Sequence, residues 1–126
     1  MEEKLELSKC PIRQVVSQFA GKWAMLTLHA VRERQPVRFS ELGRLIPDVS
    51  TKMLSSTLRS LEADDLITRT VYPEVPPRVD YRLTPRGESL MPLLDNLTAW
   101  AEANLSPILR HRAAFARTKK SSPAVS

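Results

Sequence analysis

The chain has 126 residues, of which 42% are hydrophobic and 26% charged, and this size and composition suit one domain with one core. No run of about 18 apolar residues exists, and the charged N-terminus lacks the apolar segment of a signal peptide, so we expect neither membrane insertion nor secretion. A single cysteine, Cys10, excludes an internal disulfide and a multi-cysteine metal site, which fits the reducing cytoplasm.

The formal net charge of +5 is confined to one end of the chain. Residues 1 to 106 contain 14 Lys and Arg against 14 Asp and Glu, so they are neutral overall. The excess cations are Arg110, Arg112, Arg117, Lys119 and Lys120. Because residues 107 to 126 also lack a regular apolar pattern, we predict a basic, disordered tail that attracts phosphate without reading a sequence. Residues 1 to 9 are predicted to form a second tail.

Two helices are predicted in the first third of the chain. Pro11 suits the first turn of one helix, and Gly21 separates it from a second helix over residues 22 to 34. On the side of the second helix that faces the core we place Trp23, Leu26, Thr27, Ala30 and Val31. His29 has no neighbouring ligand at metal-binding spacing, so no metal or other cofactor is predicted.

A helix pair is predicted after the turn at residues 35 to 39. Ser40 is placed as the N-cap of a helix that runs to about Ile46, and Pro47-Asp48-Val49 ends it. Ser50 then caps a second helix, over residues 50 to 61. A helix of about two turns, a tight connection and a second capped helix have the spacing of a helix-turn-helix.

The helix over residues 50 to 61 has one apolar and one polar face. Leu54, Leu58 and Leu61 fall at i, i+4 and i+7 and form a single stripe able to pack on a core. The polar face carries short donors and acceptors and two cations, which are suited to base edges and phosphates in a major groove. We predict DNA contacts from Ser50, Thr51, Lys52, Ser55, Ser56 and Arg59. On this pattern alone an ordinary surface helix is equally acceptable.

A β-hairpin is predicted from residue 66 to residue 83. Its first strand is rich in β-branched residues, and its second strand alternates, with Val79, Tyr81 and Leu83 on one face and Asp80 on the other. Three prolines stiffen the connecting loop, residues 73 to 77, which we call the wing. Contacts to the DNA backbone are predicted for Arg38, Ser40, Arg69 and Arg78.

The last predicted helix starts at Thr84-Pro85, where Thr84 caps and Pro85 takes the first helical position. Pro92 lies within its pattern, so we expect a kink or a later effective start. Its apolar stripe is wider than a lone domain of this size needs, which indicates a subunit interface. We assign that interface to Leu90, Leu94, Leu97, Trp100 and Ala101.

Six motifs between residues 10 and 105 are shared with one family. They are Cys10-Pro11, Gly21-Lys22-Trp23, residues 38 to 42, 50 to 62, 69 to 81, and 83 to 87, of which the segment from Tyr72 to Tyr81 is the most distinctive. Together they resemble the HxlR family of bacterial winged helix-turn-helix transcription regulators, relatives of the MarR group. The resemblance implies a mainly α-helical fold with a small β-hairpin sheet, in which residues 10 to 106 form the winged helix-turn-helix domain and its terminal dimerisation helices.

The resemblance also implies a mode of action. A homodimer would set one recognition helix from each subunit into successive major grooves of a pseudo-palindromic operator, with half-sites about 34 to 36 Å apart. Such a protein is a transcriptional regulator, usually a repressor, and no enzyme. Asp48 and Asp65 occupy turns where the family commonly has glycine, and Asp48 places a negative charge near the recognition helix.

Cys10 has two interpretations. Some members of the family use the cysteine at this position to sense oxidants or electrophiles, which makes Cys10 a candidate sensor, but a lone cysteine is also commonly a small buried hydrophobe. The sequence leaves open whether the protein binds a small-molecule effector. It also leaves open a winged-helix module that binds a protein instead of DNA. An enzyme with Cys10 as nucleophile is the weakest alternative, because no supporting His, Asp or Asn constellation accompanies it.

Overall fold

The computed structural model describes residues 10–121, with side chains to residue 118. In chain order it contains a π-helical segment (Ile12–Val16), α1 (Ser17–Phe19), α2 (Lys22–Arg34), β1 (Val37–Arg38), α3 (Phe39–Leu45), α4 (Thr51–Ala63), β2 (Ile67–Tyr72), β3 (Arg78–Leu83) and α5 (Pro85–Ser121). The predicted mainly α-helical fold with a small sheet is therefore confirmed. The chain divides into two compact units, one ending at Met91 and one beginning at Pro92. The predicted tail of residues 1 to 9 and residues 122 to 126 lie outside the described residues.

The core of the first unit is built on α4. Leu54, Leu58 and Leu61 are buried, as the spacing of the stripe predicts. Helix α2 packs against this helix. Other fully buried side chains of this unit are Leu28, Val31, Val37, Leu42, Ile67 and Met91. Burying a leucine contributes about 1.5 to 3 kcal/mol, so this stripe is a main source of the unit's stability.

The buried face of α2 differs from the prediction. Thr27 and Val31 are buried as expected, together with Ala24 and Leu28. The placement of Trp23, Leu26 and Ala30 in the core is wrong. Leu26 is 40% exposed, and Trp23 and Ala30 are half-buried. Apolar residues occur on both sides of this helix, so periodicity alone did not identify the buried side.

The sheet is antiparallel with the order β1-β3-β2. In the hairpin, Ile67 lies opposite Leu83 and Tyr72 opposite Arg78, while Val37 of β1 lies opposite Tyr81. The predicted hairpin is confirmed. Asp80 is only 8% exposed, although it lies on the face of the alternating pattern that carries the charged residues. β1 pairs with β3 on the side away from β2, so Asp80 lies in a central strand, which the hairpin alone did not indicate.

Helix α3 begins directly from strand β1. Its first residue is Phe39, its N-cap is the extended Arg38, and no side chain caps it. The prediction that Ser40 caps this helix is therefore wrong. Arg38 is held extended because it pairs with Asp80 in the sheet, so the helix starts two residues earlier than a Ser40 cap predicts.

The junction between the sheet and α5 depends on Thr84. Its Oγ1 accepts a hydrogen bond from the Gly87 backbone N–H at 2.9 Å, so the predicted cap is confirmed. The same hydroxyl donates to the Asp65 carbonyl oxygen at 2.6 Å, and the Thr84 N–H donates to the Leu66 carbonyl oxygen at 3.0 Å. Asp65 itself has a φ of 60°, in the left-handed region that glycine favours. Thr84 thus ties the turn before β2 to the start of α5.

Helix α5 is longer than predicted. It begins at Pro85 and contains both Pro92 and Pro107, so the alternative of a later start is wrong. The predicted loss of structure after residue 106 is also wrong for residues 107 to 121, which are helical. The absence of a regular apolar stripe after residue 106 indicated only that these residues lack a face for packing. It did not exclude a helix, because alanine, arginine and lysine are good helix formers. Among residues 10–121, no helix is both long and apolar enough to span a bilayer.

Gly87 gives a test of the junction. A Cβ atom at this position would lie 2.1 Å from the Leu66 carbonyl oxygen, so Gly87→Ala must displace backbone. We expect Gly87→Ala to lower the free energy of unfolding by about 1 to 3 kcal/mol in urea denaturation. Gly43→Ala is the matched control, since its Cβ would meet only Leu54 Cδ2, at 4.0 Å. It should raise stability by about 0.5 to 1 kcal/mol, and equal stability of the two variants would contradict the assignment.

Candidate nucleic-acid interface

The start of α4 is fixed by a capping hydrogen bond. The Met53 backbone N–H donates to Ser50 Oγ at 3.0 Å, as expected of an N-cap serine. The turn before it contains Asp48, whose φ of 62° lies in the left-handed region. Asp tolerates this conformation better than most residues, which explains how it stands in a turn where the family commonly has glycine.

Burial of the leucine stripe turns the opposite face of α4 to solvent. The predicted contact residues on this helix are all exposed: Ser50, Thr51, Lys52, Ser55, Ser56 and Arg59. Lys52 and Arg59 form no ion pair with a side chain of residues 10–118. Their accessibility is therefore established, and their contact with DNA stays a prediction.

A polar cleft of about 400 Å³ lies between α4 and the sheet. We call it the arginine cleft, and its lining residues are Phe39, Ser55, Leu58, Arg59, Glu62, Arg69 and Tyr81. Arg69 lies opposite Tyr81 in the sheet register, so both side chains share the face that borders α4. Arg69, like Arg59, forms no ion pair within the described part of the chain. Two unpaired guanidinium groups in one cleft favour an anion.

The other flank of α4 faces the start of α2. Ser56 and Ser60 line a cleft of about 250 Å³ with Lys22 and Trp23. The Lys22 ammonium lies 4.4 Å from the centroid of the Trp23 ring, a cation–π contact. Lys22 was not among the predicted contact residues, although Gly21-Lys22-Trp23 is one of the shared motifs. It adds an exposed cation beside α4.

Arg78 does not project from the wing. Its guanidinium carbon lies 3.9 Å from the centroid of the Tyr72 ring. Its Nη1 is 3.5 Å from Glu74 Oε2 and its Nε is 3.6 Å from Asp80 Oδ1. The side chain is half-buried, and its predicted contact with the DNA backbone stays a prediction. An aromatic face and two carboxylates hold the cation against the hairpin.

Arg38 and Ser40 are both exposed, Arg38 at the end of β1 and Ser40 in the first turn of α3. They lie on either side of Phe39, which lines the arginine cleft. The two side chains are thus accessible beside that cleft, and their role at the DNA backbone stays a prediction.

The predicted dimerisation residues fall into two groups. Leu97 and Trp100 are 51% and 59% exposed, and Ala101 is also exposed. Leu90 is half-buried, whereas Leu94 is only 4% exposed and belongs to the core of the single chain. Leu94 is therefore not available to a second subunit. Three further exposed leucines, Leu93, Leu105 and Leu109, extend the apolar surface of this helix.

Cys10 is half-buried at the start of the first helical turn. Its carbonyl oxygen accepts hydrogen bonds from the backbone N–H groups of Arg13 and Gln14, at 2.9 and 3.1 Å. Within the described residues, no group of three or more His, Cys, Asp and Glu side chains is placed to hold a metal ion.

An apolar cleft of about 360 Å³ lies between α2 and the end of α3. The exposed Leu26 lines it together with His29, Leu45 and Pro47. This cleft accounts for the exposed side of α2 that the sequence had assigned to the core. A small-molecule effector stays a prediction.

Comparison with known proteins gives consistent matches. Residues 18–109 match the family model described as HxlR-like helix-turn-helix. The chain is 46% identical over 93 residues to an HTH-type transcriptional regulator of Methanothermobacter thermautotrophicus, which covers 74% of this chain and 70% of the relative. The solved transcriptional regulator ytfH of Salmonella typhimurium is 40% identical with a TM-score of 0.77, covering 89% of this chain and 99% of that one. The reduced redox regulator HypR is 33% identical with a TM-score of 0.74, covering 80% and 99%.

Arg78 is expected to support the hairpin. Arg78→Ala leaves the carboxylate of Asp80 buried without its cation. We therefore expect the free energy of unfolding to fall by about 2 kcal/mol, a value between the losses measured when exposed and buried ion pairs are broken. Arg82→Ala is the control, because Arg82 lies on the same strand but is exposed and unpaired among the described residues. It should change stability by less than about 0.5 kcal/mol. Equal losses for both variants, measured in urea, would refute this role.

Proposed function

The chain belongs to the HxlR-like helix-turn-helix family, and from that premise we propose that it is a sequence-specific DNA-binding transcriptional regulator that acts as a homodimer in the cytoplasm. One observation carries the proposal. Helix α4 buries its leucine stripe, exposes Thr51, Lys52 and Ser55, and borders a cleft lined by two arginines that form no ion pair within residues 10–118. The family consists of transcriptional regulators, so an enzymatic activity is not proposed.

Helix α4 has suitable dimensions for a major groove. Its 13 residues span about 20 Å, and the groove is about 12 Å wide. Thr51 and Lys52 in its first turn, and Ser55 one turn later, are the side chains that we assign to base edges. Short hydroxyls and a single lysine give modest discrimination between DNA sequences, because each good base contact contributes about 1 to 3 kcal/mol.

Dimerisation would double this set of contacts. Leu93, Leu97, Trp100 and Leu105 are each more than half exposed on α5. Exposed apolar surface of this extent is typical of an interaction site, and a second copy of the chain is the occupant that the family implies. The two recognition helices would then enter successive major grooves, about 34 to 36 Å apart. Binding at a promoter would block transcription, so we propose a repressor.

Selection of bound sequences from random duplex DNA tests the function. We expect a pseudo-palindrome with half-sites one helical turn apart. Lys52→Ala should then weaken binding to the selected site by about 5- to 150-fold, with a much smaller effect on random DNA, because a base contact is lost. Arg82→Ala removes a cation on the opposite face of the sheet and should bind like the parent. If the selection enriches no sequence, the proposal of sequence-specific binding is refuted.

We further propose that Cys10 responds to oxidants, which the similarity to the redox regulator HypR supports. A peroxide would oxidise the thiolate to a sulfenic acid, which condenses with the thiol of Cys10 from a second subunit to give a disulfide and water.

Hydrogen peroxide should therefore weaken binding to the selected operator and produce a dimer on non-reducing gels, and dithiothreitol should reverse both. Cys10→Ser should bind the operator and show neither effect. If the serine variant lost affinity in peroxide as the parent does, the sensor would have to lie elsewhere.

A further inference from the structure

The arginine cleft has an apolar floor and a charged rim. Leu58 and Tyr81 are 2% and 6% exposed, so they close its base. Ser55, Arg59 and Glu62 form the rim on the α4 side, and Arg69 forms it on the β2 side, all of them exposed. The two guanidinium groups therefore border the same space from two different elements.

The cleft lies where one sugar-phosphate strand of duplex DNA would pass. If α4 lies in a major groove and the wing reaches the adjacent minor groove, the sugar-phosphate strand that separates these grooves must pass between them. The arginine cleft lies between α4 and β2 and β3, the strands that carry the wing. Guanidinium groups bind phosphate through paired N–H donors, and neither Arg59 nor Arg69 is engaged by a carboxylate within residues 10–118.

Resting on the proposed function, we propose that this cleft seats a phosphate of the strand between the grooves, held by Arg59 and Arg69. The sequence pattern predicted a DNA contact from Arg59 without separating base edges from phosphates, and this proposal assigns it to a phosphate. It becomes a residue that holds the backbone, and the reading of bases is left to the first two turns of α4.

Glu62 has the opposite effect in the same place. It lies three positions after Arg59 on α4 and lines the cleft, yet it is not within 4.0 Å of a cation of the described chain. An unneutralised carboxylate beside a bound phosphate raises the free energy of the complex by Coulomb repulsion. Glu62 therefore weakens binding to every DNA sequence alike, which limits the time that the protein spends on nonspecific DNA.

The test compares Arg59→Ala, Arg69→Ala and Glu62→Gln with Arg82→Ala on the selected operator and on random duplex, at several salt concentrations. Arg59→Ala and Arg69→Ala should each weaken binding to both DNAs by the same factor, about tenfold. Each should also reduce the slope of log K against log salt by about 0.9, the value for one phosphate contact. Glu62→Gln should tighten binding to both DNAs by about two- to fivefold at low salt, and less at high salt. Arg82→Ala should change none of these values.

Arg69→Lys adds a readout that a structural role would not give. It keeps the charge and loses the paired donors, so affinity should fall while the salt slope stays near that of the parent. Urea denaturation of each variant identifies any loss of fold, and Arg69→Gln, which also removes the charge, replaces Arg69→Ala should that variant unfold.

Several outcomes would overturn the inference. They are unchanged salt slopes for both arginine variants, a loss confined to the selected operator for Arg59→Ala, and weaker binding by Glu62→Gln. A parent protein that shows no preference for a selected sequence would refute the proposed function instead, and the two failures are thus distinguishable.

Discussion

Burial of the leucine stripe of α4 is the constraint on which the rest of the interface depends. Each residue turns a helix by about 100°, so a change of one position would place the polar face in the core. With Leu54, Leu58 and Leu61 buried, Thr51, Lys52 and Ser55 are exposed, and Arg59 and Glu62 border the sheet. The Ser50 cap fixes where the helix starts. Packing and capping therefore orient the polar side chains before any DNA is present.

The cations of the first unit fall into two groups, which the net charge does not show. Arg34 is paired with Glu41, and Arg86 is paired with Asp65. Arg78 is paired with both Glu74 and Asp80. Arg59 and Arg69 have no such partner within residues 10–118, and both border the arginine cleft. Residues 1 to 106 are neutral in total, yet they present local positive charge, because much of the negative charge of the first unit is matched within the fold.

Local signals were sufficient for some features and insufficient for others. The stripe of α4, the Ser50 and Thr84 caps and the hairpin each depend on residues close in sequence, and the structure confirms them. The burial of Asp80 and the start of α3 both follow from the pairing of β1 with β3, residues about 43 positions apart, which no local pattern contains. The contacts of Arg78 with Tyr72, Glu74 and Asp80 were likewise not indicated by the sequence pattern. Contacts with DNA were inferred from residue type, and the structure adds which of those side chains are free to make them.

The contacts of Arg78 also affect the entropy of binding. The wing contains three prolines, and Arg78 joins the two ends of its hairpin through Tyr72 and Glu74. Much of the conformational freedom of this loop is therefore lost during folding, so less remains to be lost if the wing contacts DNA, as the proposed function requires. Under that proposal, affinity for DNA and rigidity of the hairpin are thermodynamically linked. A substitution inside the hairpin can change operator occupancy without removing an atom that touches DNA.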